Sequence, residues 1–217
     1  MRIIAFCGPK HCGKDTAAKA LLAQNIGGIV KVPEKKLFHK NAFAYGVKKI
    51  CHDTFGWGID EMDDPIFKET KLISWPFIEP RWAMMDIANW MREKYGGDVH
   101  VRAWDQRIDL SYHCEVIPDH RFPEELEMLK ARGALIIYIN RASAEIALAE
   151  AKEAGDLKAL NQSEAHYDLL KRNADYIIDN NGAPHEMQNA VLQAVRAHFG
   201  YWGYWDSVQG EDNTNGI

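Results

Sequence analysis

Residues 2–7, RIIAFC, are an apolar run rich in β-formers that breaks at Gly8-Pro9; residues 8–14, GPKHCGK, then place two glycines five positions apart with a lysine directly after the second. KDTAAKALLAQ follows, a stretch of good helix formers that ends before the stop signal Asn25-Ile26-Gly27-Gly28. A buried strand, a tight glycine loop and a helix in immediate succession leave few folds open. The strand must enter a sheet covered on both faces, with the loop at its carboxyl end.

The rest of the chain keeps the same alternation. KKLFHKNAF predicts a second strand and AYGVKKICHDTFG a helix ending at Gly56. Residues 57–80 carry Pro65, Pro76 and Pro80 and predict irregular structure; RWAMMDIANWMREKYGG predicts a helix stopped at Gly96-Gly97. HCEVIPDHRF reads as a strand running into a polar turn, PEELEMLKARG as a helix opened by proline and acids, and ALIIYINR as an apolar strand ending at Arg141. Residues 142–173 read as helix, loop, helix; ADYIIDN is a further strand and PHEMQNAVLQAVRAHF the last helix. Strand–helix alternation of this kind predicts an α/β fold with a parallel sheet.

At 217 residues, with 47% hydrophobic and 26% charged residues, the chain suits one globular domain. The net charge of -5 argues against a dedicated nucleic-acid or membrane-surface partner. No run approaches membrane-spanning length, and no charged-then-apolar leader opens the sequence. The four cysteines, Cys7, Cys12, Cys51 and Cys114, have neither CxxC nor zinc-finger spacing, which points to a reducing, cytoplasmic setting. Five of the seven tryptophans fall between Trp57 and Trp104, at spacings more often found in a core than in a binding face.

Gly8-Pro9-Lys10-His11-Cys12-Gly13-Lys14 satisfies the GxxxxGK part of a phosphate loop. Glycines let successive backbone N–H groups turn toward phosphate oxygens at a helix N-terminus, where unpaired donors and the dipole favour anions. Lys14 adds a cation for the β- and γ-phosphates. The plain alternative is a strand–turn–helix corner with an incidental lysine. Asp15 stands where a hydroxyl usually meets Mg²⁺, with Thr16 next, so the metal contact falls to Asp15, to Thr16 or to a group elsewhere. Asp119-His120-Arg121 ends the EVIP strand; a carboxylate there can hold metal-bound water or accept a proton, and an arginine can clamp phosphate in bidentate fashion. Arg141 opens a segment with Lys152, Lys158, Lys171 and Arg172, the place for a cationic lid, although for most of those lysines a solvated helix face is the simpler reading.

Cys12 lies inside the loop beside Lys10 and Lys14. Nearby cations and the helix N-terminus would lower its pKa and make it reactive in the empty protein. The other reading turns its side chain under the loop into the core.

Together these residues resemble the deoxynucleoside monophosphate kinases of tailed phages, within the P-loop nucleoside monophosphate kinase superfamily, over residues 1 to about 195. GPKHCGKDT resembles that family's GxxxxGKDT loop, and VIPDHRFPEELEMLKARGALIIYINR its D-x-R-F-P-x-E strand, helix, strand and arginine. FAYGVKKI resembles a FADPLK-type segment with Tyr45 and Gly46 in place of Asp and Pro; NQSEAHYDLL resembles an HxSE motif with Asn161 for His. In the helix that opens at Arg81, Met85 and Asn89 replace the family's Gln and Thr.

The resemblance implies a five-stranded parallel core with helices on both faces. It implies a single kinase domain over 1–199, with a monophosphate-binding insert near 44–110 and a lid near 141–172; the composition of 200–217 reads separately as an aromatic, then flexible tail. The resemblance also implies transfer of the ATP γ-phosphoryl group to a deoxynucleoside 5′-monophosphate with Mg²⁺. Gly8, Lys10, Cys12, Gly13, Lys14, Asp15 and Thr16 would hold ATP, with Asp15, Thr16 and Asp119 toward the metal. Arg121 and Arg141 would act with Lys14 and Asp119 on the reacting phosphates. Lys48, Arg81, Met85 and Asn89 would line the acceptor site. The competing readings are a phosphomevalonate-type kinase of similar loop and strand motifs, and a nucleotide-binding switch without turnover. The aromatic GYWGYW segment either caps the sheet edge or pairs two subunits as a homodimer.

Overall fold

The computed structural model describes residues 1–23, 36–155 and 165–200. The chain forms two compact units: Met1–Lys40 with Asp109–Ile217, and Asn41–Ile108.

The first unit is a five-stranded, all-parallel sheet in the order β2-β3-β1-β4-β5. Its strands are β1 (Arg2–Cys7), β2 (Lys36–Lys40), β3 (Tyr112–Ile117), β4 (Leu135–Asn140) and β5 (Tyr176–Asp179). β1 is central, with Ala5 aligned to Ile117 on one side and to Ile136 on the other. Strands buried on both faces need unbroken apolar sequence, and RIIAFC and LIIYIN supply it. Side chains alternate across the sheet. Ile4, Phe6, Leu135, Ile137 and Ile139 share a core with Ala17, Ala18 and Leu21 of α1 (Lys14–Leu22) and Met187, Val191, Ala194 and Val195 of α9 (Pro184–Phe199). Ile3, Ala5, Ile136 and Tyr138 therefore point to the opposite face, where α8 (Tyr167–Arg172) packs on β1 and on α6 (Pro123–Ala131). Burying a residue such as Leu21 or Leu129 completely contributes about 1.5–3 kcal/mol. The expected α/β class holds: a five-stranded parallel sheet with helices on both faces.

β3 and β4 lie on opposite sides of β1, so the strand order reverses at β1's carboxyl end. In open parallel sheets that reversal opens a crevice for ligands. The glycine loop occupies it.

The second unit contains α2 (Tyr45–Phe55), a 3-10 turn at Glu61–Asp63, α3 (Pro65–Glu69), α4 (Pro80–Tyr95) and α5 (Val99–Asp105). Val47, Cys51, Trp57, Met62 and Ala83 form its core. Its two ends are fastened together. Trp104 Nε1 donates to the Asn41 carbonyl at 3.0 Å, and Arg107 Nη2 to the Ala42 carbonyl at 3.0 Å. Residues 57–80 are less irregular than their prolines suggest, because Pro65 occupies the first turn of α3, where its missing N–H costs nothing, and the Asp64 carboxylate accepts from Ile66 N–H at 2.7 Å. The core expectation for the tryptophans holds for Trp57 and Trp104 and fails for Trp75 and Trp90, which are 60% and 51% exposed.

Asn161, Ser163, Glu164 and Lys158, the end of the first predicted helix at Gln24, and the aromatic tail from Tyr201 lie outside the described residues. Among the described residues no helix is long and apolar enough to cross a membrane. α7 (Ala142–Ala154) and α8 stand where the charged segment 142–173 predicts two helices.

Candidate functional site

Gly8 and Gly13 adopt φ of 135° and 108°, conformations that L side chains rarely take. Space forbids a side chain as well. A Cβ on Gly8 would lie 2.6 Å from the Ile139 carbonyl oxygen, and one on Gly13 would overlap the Asn180 amide. The loop thus runs directly against the end of β4 and the residue after β5. Asn180 fixes it there: its side-chain N–H donates to the Cys12 carbonyl at 2.8 Å and its backbone N–H to the Asn140 carbonyl at 2.7 Å.

α1 begins at Lys14, with Gly13 as a cap that offers no side-chain acceptor. The first N–H groups of any helix have no partner within it. Here they open at the carboxyl edge of the sheet, which is the arrangement that binds an anion.

Lys14 is 7% exposed. Its Nζ donates to the carbonyls of Gly8 at 2.6 Å and Pro9 at 2.7 Å and lies 3.6 Å from Cys12 Sγ. Burial pulls its pKa below the ordinary lysine value; the Cys12 thiol opposes this, and the Arg121 guanidinium adds to it. Lys14 and Arg121 thus lie close enough for one cation to destabilise the other's charge, and an arriving anion relieves Lys14.

Of the two readings of Cys12, the buried one holds and the reactive thiolate does not. The residue is fully buried, turned under the loop into the core shared by β1, β4 and α1. Burial raises its pKa, and the nearby Lys14 offsets that only in part. To the loop it therefore contributes backbone and packing, not an exposed sulfur.

Asp119, His120 and Arg121 follow β3 at the same edge of the sheet, as expected. Glu125, buried in the first turn of α6, holds this turn. Its Oε2 accepts the backbone N–H of Arg121 at 2.7 Å and of Phe122 at 3.0 Å, and stands 3.3 Å from His120 Nδ1. Arg141, the residue before α7, directs Nη1 to the His11 carbonyl of the loop at 3.4 Å. The first unit therefore gathers the glycine loop, Lys14, Arg121 and Arg141 at one edge. Lys10, Asp15 and Thr16 are exposed there.

The four expected acceptor residues lie in the second unit. Lys48 is buried and paired with Asp63 at 2.5 Å; Arg81 donates to Glu69 at 2.7 Å. Met85 and Asn89 are half-buried on α4. Among the described residues no three His, Cys, Asp or Glu side chains converge to hold a metal. Asn180 escaped sequence reasoning, and Glu125, which closes the D-x-R-F-P-x-E motif, received no role from it. Glu125 carries a readable signal, an acid three residues after Phe122 at a Pro-led helix start; Asn180 carries only its place in a strand-ending Asn-Asn-Gly turn.

No family model and no curated protein matches the chain. Among solved structures it is similar to dephospho-CoA kinase from Campylobacter jejuni, at 14% identity and TM-score 0.45, over 92% of this chain and 99% of that one. It is also similar to shikimate kinase from Aquifex aeolicus, at 16% identity and TM-score 0.40, over 91% and 97%. A third is shikimate kinase from Acinetobacter baumannii in complex with shikimate, at 13% identity and TM-score 0.40, over 91% and 92%.

Proposed function

We propose that this protein transfers the γ-phosphoryl group of ATP to the 5′-phosphate of a deoxynucleoside monophosphate. The observation that carries the proposal is the pairing of a glycine loop that admits no side chain with a buried lysine, Lys14, whose charge is destabilised by burial and by Arg121 until an anion arrives. The deoxynucleotide acceptor rests on the sequence resemblance, chiefly GPKHCGKDT and DHRFPEE.

Phosphoryl transfer asks little covalent chemistry of a protein; position and charge neutralisation supply most of the rate. Backbone N–H groups of the loop and the first turn of α1 would hold the donor phosphates. Lys14 would exchange its carbonyl partners for β- and γ-phosphate oxygens. Arg121 would bridge donor and acceptor phosphates, held by the Glu125 contacts to its backbone. Arg141 would meet charge developing on the transferred group. Asp15, Thr16 and Asp119 are hard oxygen donors of the kind Mg²⁺ takes, and an ion that draws most ligands from phosphate and water needs only one or two carboxylates from protein. When bound, Mg²⁺ would offset phosphate charge. Lys48 and Arg81 would serve the acceptor phosphate after giving up Asp63 and Glu69.

A coupled assay for ADP release, run with deoxynucleoside and ribonucleoside monophosphates and mevalonate 5-phosphate, tests this. Acceptor-dependent ADP release with a deoxynucleotide supports the reading. Release with mevalonate 5-phosphate alone, or nucleotide binding without release for any acceptor, replaces it with one of its competitors.

A further inference from the structure

We infer that Lys171 is a positioning residue that sets the placement of Arg141 at the glycine loop, acting through Asn140 and Glu145. The inference rests on the phosphoryl-transfer reading only for what Arg141 does once placed.

Lys171 lies on α8, thirty residues beyond Arg141 in sequence. Its Nζ is 3.1 Å from Asn140 Oδ1 and 3.1 Å from Glu145 Oε1, and it stands 5.1 Å from the centroid of the Tyr138 ring. The two oxygens bracket Arg141. Asn140 immediately precedes it, and Glu145 lies one helical turn after it, with its own N–H donating to the Arg141 carbonyl at 3.0 Å. One ammonium group thus fixes both chain segments that emerge from Arg141.

Each bracketing residue is also held from the far side. Asn140 Nδ2 donates to Asp179 Oδ1 at 2.6 Å, and the Asn140 carbonyl accepts the N–H of Asn180, the residue that clamps the loop at Cys12. Glu145 Oε1 also accepts the Tyr138 hydroxyl at 2.8 Å. Burial and the Glu145 carboxylate push the Tyr138 pKa far above its ordinary value, so the phenol remains a donor. The Asn181 side chain accepts the N–H of Ala142, on the other side of Arg141, at 2.8 Å.

An ordinary exposed ion pair has one partner, wanders and contributes little. Lys171 differs in using two oxygens and a ring face on a side chain that is two-thirds covered. The chain that results runs Lys171, Asn140, Asn180, Cys12 on one side and Lys171, Glu145, Arg141, His11 on the other. Both ends are in the glycine loop.

Turnover and amide exchange together test this. Lys171→Met should lower kcat about 10-fold with the ATP KM within about twofold, because misplacing a charge-stabilising group costs the transition state more than binding. Lys171→Arg should recover most of that loss. In an Arg141→Ala background, Lys171→Met should cost less than about twofold more, since two residues acting as one unit are not additive. Equal loss in both backgrounds, or no loss in either, overturns the inference. Deuterium exchange of the Ala144 and Glu145 amides reads the same network in the nucleotide-free protein. It should accelerate in Lys171→Met, and unchanged exchange overturns the inference whatever the activity. If the wild-type protein transfers phosphoryl to no acceptor, the function reading fails, and the exchange result alone decides whether Lys171 holds Arg141.

Discussion

The Asn180 amide both donates to the Cys12 carbonyl at 2.8 Å and fills the space that a Gly13 side chain would need. The residue after β5 and the residue before Lys14 therefore determine one another, across most of the length of the chain.

Asn180→Ala removes a hydrogen bond from the loop and leaves the Cys12 carbonyl without that donor. The expected cost is about 1–3 kcal/mol, read as a lower thermal midpoint, with weaker ATP binding in a nucleotide titration. Gly13→Ala should impair ATP binding more, through backbone strain and overlap together. Adding Asn180→Ala to Gly13→Ala should recover part of that loss, because it empties the space. Gly8→Ala should not be rescued in this way, since its obstacle is the backbone oxygen of Ile139. Strict additivity of Gly13→Ala and Asn180→Ala would contradict the relationship.

Arg121→Ala should leave the fold intact, because Glu125 holds the turn through backbone N–H groups. Turnover should fall about 10²–10³-fold, the usual effect of losing one charge-stabilising donor. ATP affinity should change far less. Lost ATP affinity with an unchanged single-turnover rate at saturation would make Arg121 a donor-site residue instead.

Stability should fall as pH rises above about 8.5, where cysteines of an unfolded chain begin to ionise. All four thiols are free and buried, and burial raises each pKa, that of Cys51 to about 11. The folded state then holds protons that the unfolded state has released, so stability is complete below about 8.5 and is lost toward the folded values, by at most about 1.4 kcal/mol per pH unit for each thiol. Lys14, with its pKa lowered by burial, works in the opposite sense, as one group against four. Urea midpoints at pH 7.5 and 10.0 under reducing conditions should show the decline, and Cys51→Ala should shrink it. Equal midpoints at both pH values would refute the burial of the thiols.

The glycine loop was legible because its requirements are local: two positions that admit only glycine, a strand before them and a helix after. The Asp119–Arg121 turn was legible for the same reason, since a proline and two acids mark the helix that follows it. Cys12 shows where local reasoning stops. Its sequence neighbours are cations, yet its side chain joins the core that holds Ile137 and Ile139 of β4, which no spacing rule brings beside it. Asn180 was invisible as a site residue, and Lys171 was legible only as one cation of a charged segment, because their partners lie far away in sequence and are joined by the sheet order. The short helix α5 escaped because VHVRAWD carries two valines and a single helical turn's worth of pattern. Arg81 and Lys48 were placed by resemblance, and the structure adds partners, Glu69 and Asp63, that the motif does not contain.

Phosphoryl transfer at the glycine loop is tested most directly by a single turnover with γ-labelled ATP, enzyme in excess, and each deoxynucleoside monophosphate in turn. The wild-type protein should move label onto the deoxynucleoside diphosphate for at least one base. Lys14→Ala, with an unchanged thermal midpoint, should lose that transfer, since removing the buried cation takes away several kcal/mol of transition-state stabilisation. Label that stays on ATP or appears only as inorganic phosphate with every acceptor, or transfer that survives in folded Lys14→Ala, would contradict phosphoryl transfer to a deoxynucleotide at this loop.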